Sequence, residues 1–330
     1  WYFEVWNEPN LDAFWKGKQA DYFKLYQYTA NAIKGVDAQI RVGGPATADD
    51  AWIPEFLQFA ETGKLPVDFV STHHYPTDAL GKPGDDTETQ LSDASRDVLV
   101  RRVQAMRQTV GDRKLCYTEW NSSSNPFFEF HDEPYAAAFL FKNMLDVAEL
   151  VHCYSWWTFS DIFEENYFSS KPFHGSFGLQ TIHGIAKPSY RAMQLLHGLG
   201  NQRLAVAGSH PTVDAWAVRR DNTHVDLLLT NHAFPRHAIA SAAVTWHVKS
   251  SRNAKSADVQ CIDEGHCNSR QAWLDMGSPD SLDARQVAEL DEASQLEPEA
   301  VAVQANGEGF DISVNLPPHG IAVTRVELAP

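Results

Sequence analysis

Cysteine is scarce. The 330 residues hold four, Cys116, Cys153, Cys261 and Cys267, and none stands in a C-x-x-C pair. Neither a zinc knuckle nor a disulfide scaffold is indicated, though a Cys261–Cys267 bridge stays open. No apolar run approaches the roughly 18 residues needed to span a bilayer, so no transmembrane helix is expected. Positive charge is short as well: 27 Lys and Arg face 43 Asp and Glu, a formal net charge of −16 at pH 7. Nucleic acid and anionic membranes would be repelled at long range, which excludes them as expected partners and favours a neutral or small ligand. An initiator methionine is lacking too. Trp1 falls inside an apolar strand that runs straight into a motif, so the natural start is expected upstream, with any leader. Compartment and oligomeric state are therefore not readable: a soluble protein is expected, and cytoplasmic, periplasmic and secreted settings all stay open.

What the chain has in plenty is apolar and aromatic surface. Apolar residues make up 43% and aromatics 12%, enough for a large core and two domains. Most of these rings belong in the core. Some are candidates for the flat faces on which sugar rings stack.

Up to about residue 200, short apolar strands alternate with amphipathic helical stretches, the pattern of repeated βα units on a parallel sheet. Strands are predicted at Tyr2–Trp6, Ile40–Gly43, Val67–Thr72, Leu115–Thr118 and Cys153–Thr158. Between them, Phe23, Tyr26, Ala30 and Ile33 form one helical stripe and Leu99, Val103, Met106 and Val110 another. A further helix is predicted from Pro134, whose missing N–H suits a first turn, to Leu150. After about Gly200 the pattern changes to period-two alternation, as in Asp214–Arg219, His224–Leu229, Val244–Val248, Gln260–Asp263 and Ile321–Glu327, broken by a helix-prone Asp283–Glu299. This predicts an antiparallel β-sandwich over 201–330.

Five βα units do not close an eight-stranded barrel. An open sheet of this kind would usually carry a glycine-rich phosphate loop after its first strand, and Asn7-Glu8-Pro9-Asn10 stands there instead. The expected fold is therefore α/β, with residues 1–200 forming the last five units of a (β/α)8 barrel and the C-terminal sandwich as an accessory domain. The first three units would precede Trp1.

In such a barrel the polar residues just past each strand meet on one face. They are Asn7 and Glu8; His73, His74 and Tyr75; Glu119, Trp120 and Asn121; and Trp156, Asp161, Glu164 and Glu165. Glu8 and Glu119, three strands apart, are what double displacement at an anomeric carbon requires: one carboxyl protonates the leaving oxygen, and the other attacks the carbon. Blander readings are a helix-dipole partner for Glu8 and a buried ion pair for Glu119. Alternation along the strand puts His73 and Tyr75 on one side and His74 on the other. Asp161 is left unassigned, with helix capping as one option. Asn121-Ser122-Ser123 is a glycosylation sequon, but a glycan beside Glu119 would block the site.

Val5-Trp6-Asn7-Glu8-Pro9-Asn10 resembles the acid/base strand of clan A glycoside hydrolases, and Tyr117-Thr118-Glu119-Trp120-Asn121 resembles their nucleophile strand. Adding Ser71-Thr72-His73-His74-Tyr75-Pro76, Ser155-Trp156-Trp157-Thr158-Phe159-Ser160-Asp161 and Pro172-Phe173-His174-Gly175, the chain resembles glycoside hydrolase family 39, the β-xylosidases and α-L-iduronidases. The resemblance implies Glu8 as acid/base, Glu119 as nucleophile and Asn7 as a partner of the sugar 2-hydroxyl. His73 and Tyr75 would flank the nucleophile, while Trp156 and Glu165 would receive the non-reducing sugar. No metal and no organic cofactor is expected. The implied activity is a retaining, exo-acting β-D-xylosidase. Alternatives are an α-L-iduronidase, another clan A glycosidase, or a catalytically silent carbohydrate-binding protein. The acidic loop from Asp161 to Lys171 disfavours a sugar carboxylate, and retention of both glutamates speaks against silence.

Overall fold

The computed structural model describes residues 1–78, 86–163 and 169–329. The chain divides into two compact units, one of Trp1–Asp85, Asp93–Ser124 and Asn143–Trp157, the other of Asp86–Ser92, Asn125–Lys142 and Thr158–Pro330.

The first unit is built on a five-stranded parallel sheet in sequential order. Its strands are β1 (Tyr2–Glu4), β2 (Arg41–Thr47), β3 (Phe69–His73), β4 (Leu115–Trp120) and β5 (Cys153–Trp156). All five predicted strands are present. β2 runs four residues beyond its predicted end at Gly43, through Gly44 and Pro45 to Thr47. Gly43 is required where it stands, because a Cβ there would lie 2.4 Å from the Phe69 carbonyl oxygen of β3. The helices α1 (Gln19–Val36), α2 (Ile53–Gly63) and α4 (Val98–Val110) of this unit intervene, while α3 (Thr87–Asp93), which precedes α4 in the chain, belongs almost wholly to the other unit. On α1 the buried residues are Tyr22, Phe23, Tyr26 and Ala30, with Ile33 only half-buried, while Leu99, Val103, Met106 and Val110 of α4 are buried as predicted. The Tyr22 hydroxyl donates to Val5 O at 3.0 Å, tying α1 to the chain just past β1.

The other unit holds two antiparallel sheets. Its strands are β6 (Gln202–Leu204), β7 (Val213–Arg219), β8 (His224–Asn231), β9 (Ala242–Lys249), β10 (Ala254–Ile262), β11 (Pro298–Ala300), β12 (Val303–Ala305), β13 (Gly309–Leu316) and β14 (Ile321–Leu328). They pair as β11-β10-β14-β8-β7-β6 and β12-β13-β9. Alternate residues from both sheets, among them Leu227, Leu229, Trp246, Phe310, Ile312 and Leu316, share one apolar cluster. The period-two reading after residue 200 is therefore borne out.

Two helical expectations, the one from Pro134 to Leu150 and the one over Asp283–Glu299, shorten. α5 runs over Pro134–Val147, α6 covers Pro188–His197, and after α7 (Ser269–Asp275) the predicted helix near Asp283 is α8 (Ala284–Ala293). Asp283 caps α8 through Gln286 N, and Pro298 opens β11. Trp273 of α7 packs with Phe173, Ile185 and Leu290 in a smaller apolar cluster. The four cysteines are free thiols, and Cys267 Sγ donates to Gln295 O at 2.8 Å, so no Cys261–Cys267 bridge forms. No helix among the described residues is long and apolar enough to cross a membrane.

Candidate active site

In the first unit the sheet runs in the order β1-β2-β3-β4-β5; the segment just past β1 supplies Glu8, and the neighbouring ends of β3 and β4 supply His73 and Glu119. Glu8 sits in a left-handed conformation, φ 43°, with its backbone N–H donating to Ala46 O at 2.8 Å. That anchor turns its side chain into the site, where it is buried. Glu119 lies opposite His73 in the β3–β4 ladder, and the register shifts on each side of it, between Thr72 and His73 and between Tyr117 and Trp120. Such irregularities re-aim a side chain at a strand end.

His73 joins the two carboxyls. Its Nδ1 lies 2.9 Å from Glu8 Oε1 and 3.5 Å from Glu119 Oε2. Burial works to lower its pKa, but the hydrogen bond to Glu8 and the charges of Glu119, Glu8 and Glu4 outweigh that, and the ring is held above its ordinary value. One oxygen of each carboxylate and a His73 nitrogen all lie within 4.8 Å of one another. A cation could also be held at that spacing. Tyr75, just past β3, donates its phenol O–H to Glu119 Oε1 at 2.6 Å.

His74 faces away, as alternation predicts. It is fully buried, 2.7 Å from the Tyr154 hydroxyl through Nε2, and stacked on Tyr117 at 4.0 Å. Burial, with Arg102 and His73 nearby, pushes its pKa well below the ordinary value, so it stays neutral. Trp156 ends β5 with its ring edge-on to buried Trp120, centroids 4.8 Å apart. Asn7, next to Glu8 in the chain, is exposed, and among the described residues no hydrogen bond holds its side-chain amide. Asn121 is buried, its amide donating to Trp157 O at 2.5 Å, which removes the sequon from the surface of this unit.

Glu165 and Glu164 lie outside the described residues. Asp161, in the second unit, caps no helix among the described residues. It is buried against Lys187 Nζ at 2.8 Å, and the same ammonium meets Asp132 at 2.6 Å. Burial raises the Asp161 carboxyl, and Lys187 opposes that rise. Sequence reasoning missed this Lys187 ion pair, and it also missed Arg102 of α4, which reaches the Tyr75 carbonyl at 3.1 Å. Neither carries a sequence signal: Arg102 stands next to a second arginine on a helix and reads as solvated surface.

The family pattern described as Glycosyl hydrolases family 39 matches residues 1–309. A β-xylosidase of Caldicellulosiruptor saccharolyticus is 46% identical over 331 residues, covering 98% of this chain and 67% of that protein. A β-xylosidase of Geobacillus stearothermophilus is 34% identical over 288 residues, covering 84% of this chain and 56% of that protein. Among solved structures, a monomeric β-xylosidase from Caulobacter crescentus CB15 matches with a TM-score of 0.81 at 32% identity, over 99% of this chain and 69% of that one. The chain thus spans from just over half to about two thirds of the length of these relatives.

Proposed function

We propose that this chain, which belongs to glycosyl hydrolases family 39, carries the catalytic pair of a retaining, exo-acting β-D-xylosidase that hydrolyses xylo-oligosaccharides. The observation that supports it most directly is the placing of a Glu8 oxygen and a Glu119 oxygen within 4.8 Å of each other, both within reach of His73 Nδ1. Retaining enzymes hold their two carboxyls roughly 5–5.5 Å apart, whereas inverting ones leave room for a water. In this reading β1–β5 and their helices are the last five units of a (β/α)8 barrel, and the β-rich part from residue 201 is the accessory sandwich.

The chemistry then runs in two displacements. Glu119 attacks the anomeric carbon while Glu8 gives its proton to the departing oxygen, so one C–O bond forms as the other breaks. Glu8, now ionised, takes a proton from water as that water attacks the same carbon and frees Glu119. The Tyr75 phenol, donating to Glu119 Oε1, favours the ionised nucleophile. His73, hydrogen-bonded to Glu8, sets the orientation of the acid/base. Asn7 and Glu165 are proposed to take sugar hydroxyls. Trp156 offers a ring face, filling the space where a hexose would carry its C6 group.

The test uses nitrophenyl glycosides. The β-D-xyloside should lead the β-D-glucoside and the α-L-iduronide in kcat/KM by at least about tenfold, roughly 1.4 kcal/mol of transition-state binding. Glu119→Gly should abolish turnover, and azide should yield the β-configured xylosyl azide from Glu8→Ala. A reversed ratio would move the substrate to another sugar, and an α-configured azide product would reverse the roles of the glutamates.

A further inference from the structure

Behind the two carboxyls lies a second polar layer on the same unit. Arg102 follows the buried Leu99 and precedes the buried Val103 on α4, and its guanidinium reaches the strand ends with all three nitrogens. Nη1 donates to the Tyr75 carbonyl at 3.1 Å, Nε donates to Asp50 Oδ2 at 3.2 Å, and Nη2 meets Asp49. Asp49 and Asp50 occupy the turn directly after β2, with φ of 60° and 57°. Burial raises the Asp50 carboxyl, and Arg102 is the first group that opposes it. A single arginine therefore fastens the turn after β2 to the main chain just past β3. Its planar fork suits three acceptors at fixed angles, which the single ammonium of lysine does not.

Tyr75 is held at both ends: its carbonyl by Arg102, its phenol on Glu119 Oε1 at 2.6 Å. We propose that Arg102 is a positioning residue of the nucleophile: by fixing the Tyr75 main chain it keeps the phenol on Glu119 and so keeps that carboxylate ionised. This rests on the reading of Glu119 as nucleophile. Among the described residues, Tyr75 and His73 at the end of β3 face Glu119, and Glu8 shares His73 with it. Glu4 of β1 adds its charge to His73, and Arg102 itself faces Asp49, Asp50, the neutral His74 and the buried phenols of Tyr117 and Tyr154. Of these, only the Tyr75 contact depends directly on Arg102.

The deciding measurement needs no substrate. In the intact protein with carbon-13 carboxyl-labelled glutamate, the Glu119 signal is assigned by its loss in Glu119→Gln and titrated in wild type, Arg102→Met, Tyr75→Phe and the double variant. Losing a hydrogen bond to an ionised carboxylate raises its midpoint, so Arg102→Met and Tyr75→Phe should each move it up by about one pH unit. The double variant should move it no further than either alone, because both remove the same bond. Arg102→Lys should fall between wild type and Arg102→Met. The acid limb of kcat/KM for the xyloside should shift in the same order. An unmoved midpoint in Arg102→Met, or additive shifts in the double variant, would overturn the proposal and leave Arg102 as a structural clip that affects stability alone. If Arg102→Met does not fold, Arg102→Met with Asp50→Asn removes the stranded carboxylate and gives the same reading. A wild type that fails to cleave the xyloside overturns the proposed activity, while the titration still decides the role of Arg102.

Discussion

His319 stands half-buried with its ring 5.2 Å from that of Tyr135, and burial lowers its pKa to about 4. The unfolded chain binds a proton near the ordinary histidine value of about 6.5, so between the two values the unfolded state holds more protons. The stability this neutral ring contributes is present above about pH 6.5 and is lost as pH falls toward 4. Asparagine tolerates the left-handed φ of 56° at this position and does not titrate, so His319→Asn should lose less Tm than wild type between pH 7 and pH 5. Equal losses would refute the assignment. His73 works in the opposite direction. Its pKa is raised, so its pairing with Glu8 stabilises fully below about pH 6.5 and fades as pH climbs through the folded value. The Tm gap between wild type and His73→Gln should accordingly be wider at pH 5 than at pH 9. His73 and Tyr75 could be found from sequence because alternate residues at a strand end share a face. Lys187 and Arg102 could not, since a buried ammonium and a solvated one look alike until their acceptors, brought from remote segments, are in place.

Elements were legible to the extent that their periodicity had room to repeat. The four-residue stripes of α1 and α4 gave the right type, and the alternation of β7, β8, β9 and β14 gave both the right type and nearly the right span. β6, β11 and β12, with three residues each, are too short to show any period, and they are fixed by pairing with longer neighbours. β13 alternates plainly through Phe310, Ile312, Val314 and Leu316 and extends the same pattern. β2 outran its prediction because Gly44 and Pro45, poor strand residues locally, are buried in a parallel ladder that continues to Thr47. The short α7 depends on tertiary contacts in the same way. Trp273 is buried against Phe173 and Ile185, and its indole N–H donates to Pro279 O at 3.0 Å. Trp273→Ala removes a large buried ring and that bond, and should cost about 3–5 kcal/mol in urea unfolding. A loss below about 1 kcal/mol would mean that this cluster contributes packing without much stability.

At the scale of the whole molecule, 43 acidic against 27 basic residues give the chain a net negative charge that an approaching ligand meets. The field of that charge acts on ligand charge over a distance of about 10 Å at 0.1 M salt, and less as salt is added. A nitrophenyl xyloside is neutral, so neither its approach nor its binding should feel that screening. An iduronide carries a carboxylate and would be repelled until the field is screened. Between about 20 mM and 300 mM sodium chloride, kcat/KM for the xyloside should therefore change by less than about twofold, and any residual iduronide hydrolysis should rise. This separates charge from shape, because a steric barrier to the iduronide would not respond to salt. A xyloside kcat/KM that fell steeply across that range would point to a cationic recognition group in the site and to an anionic natural substrate, against the neutral sugar proposed.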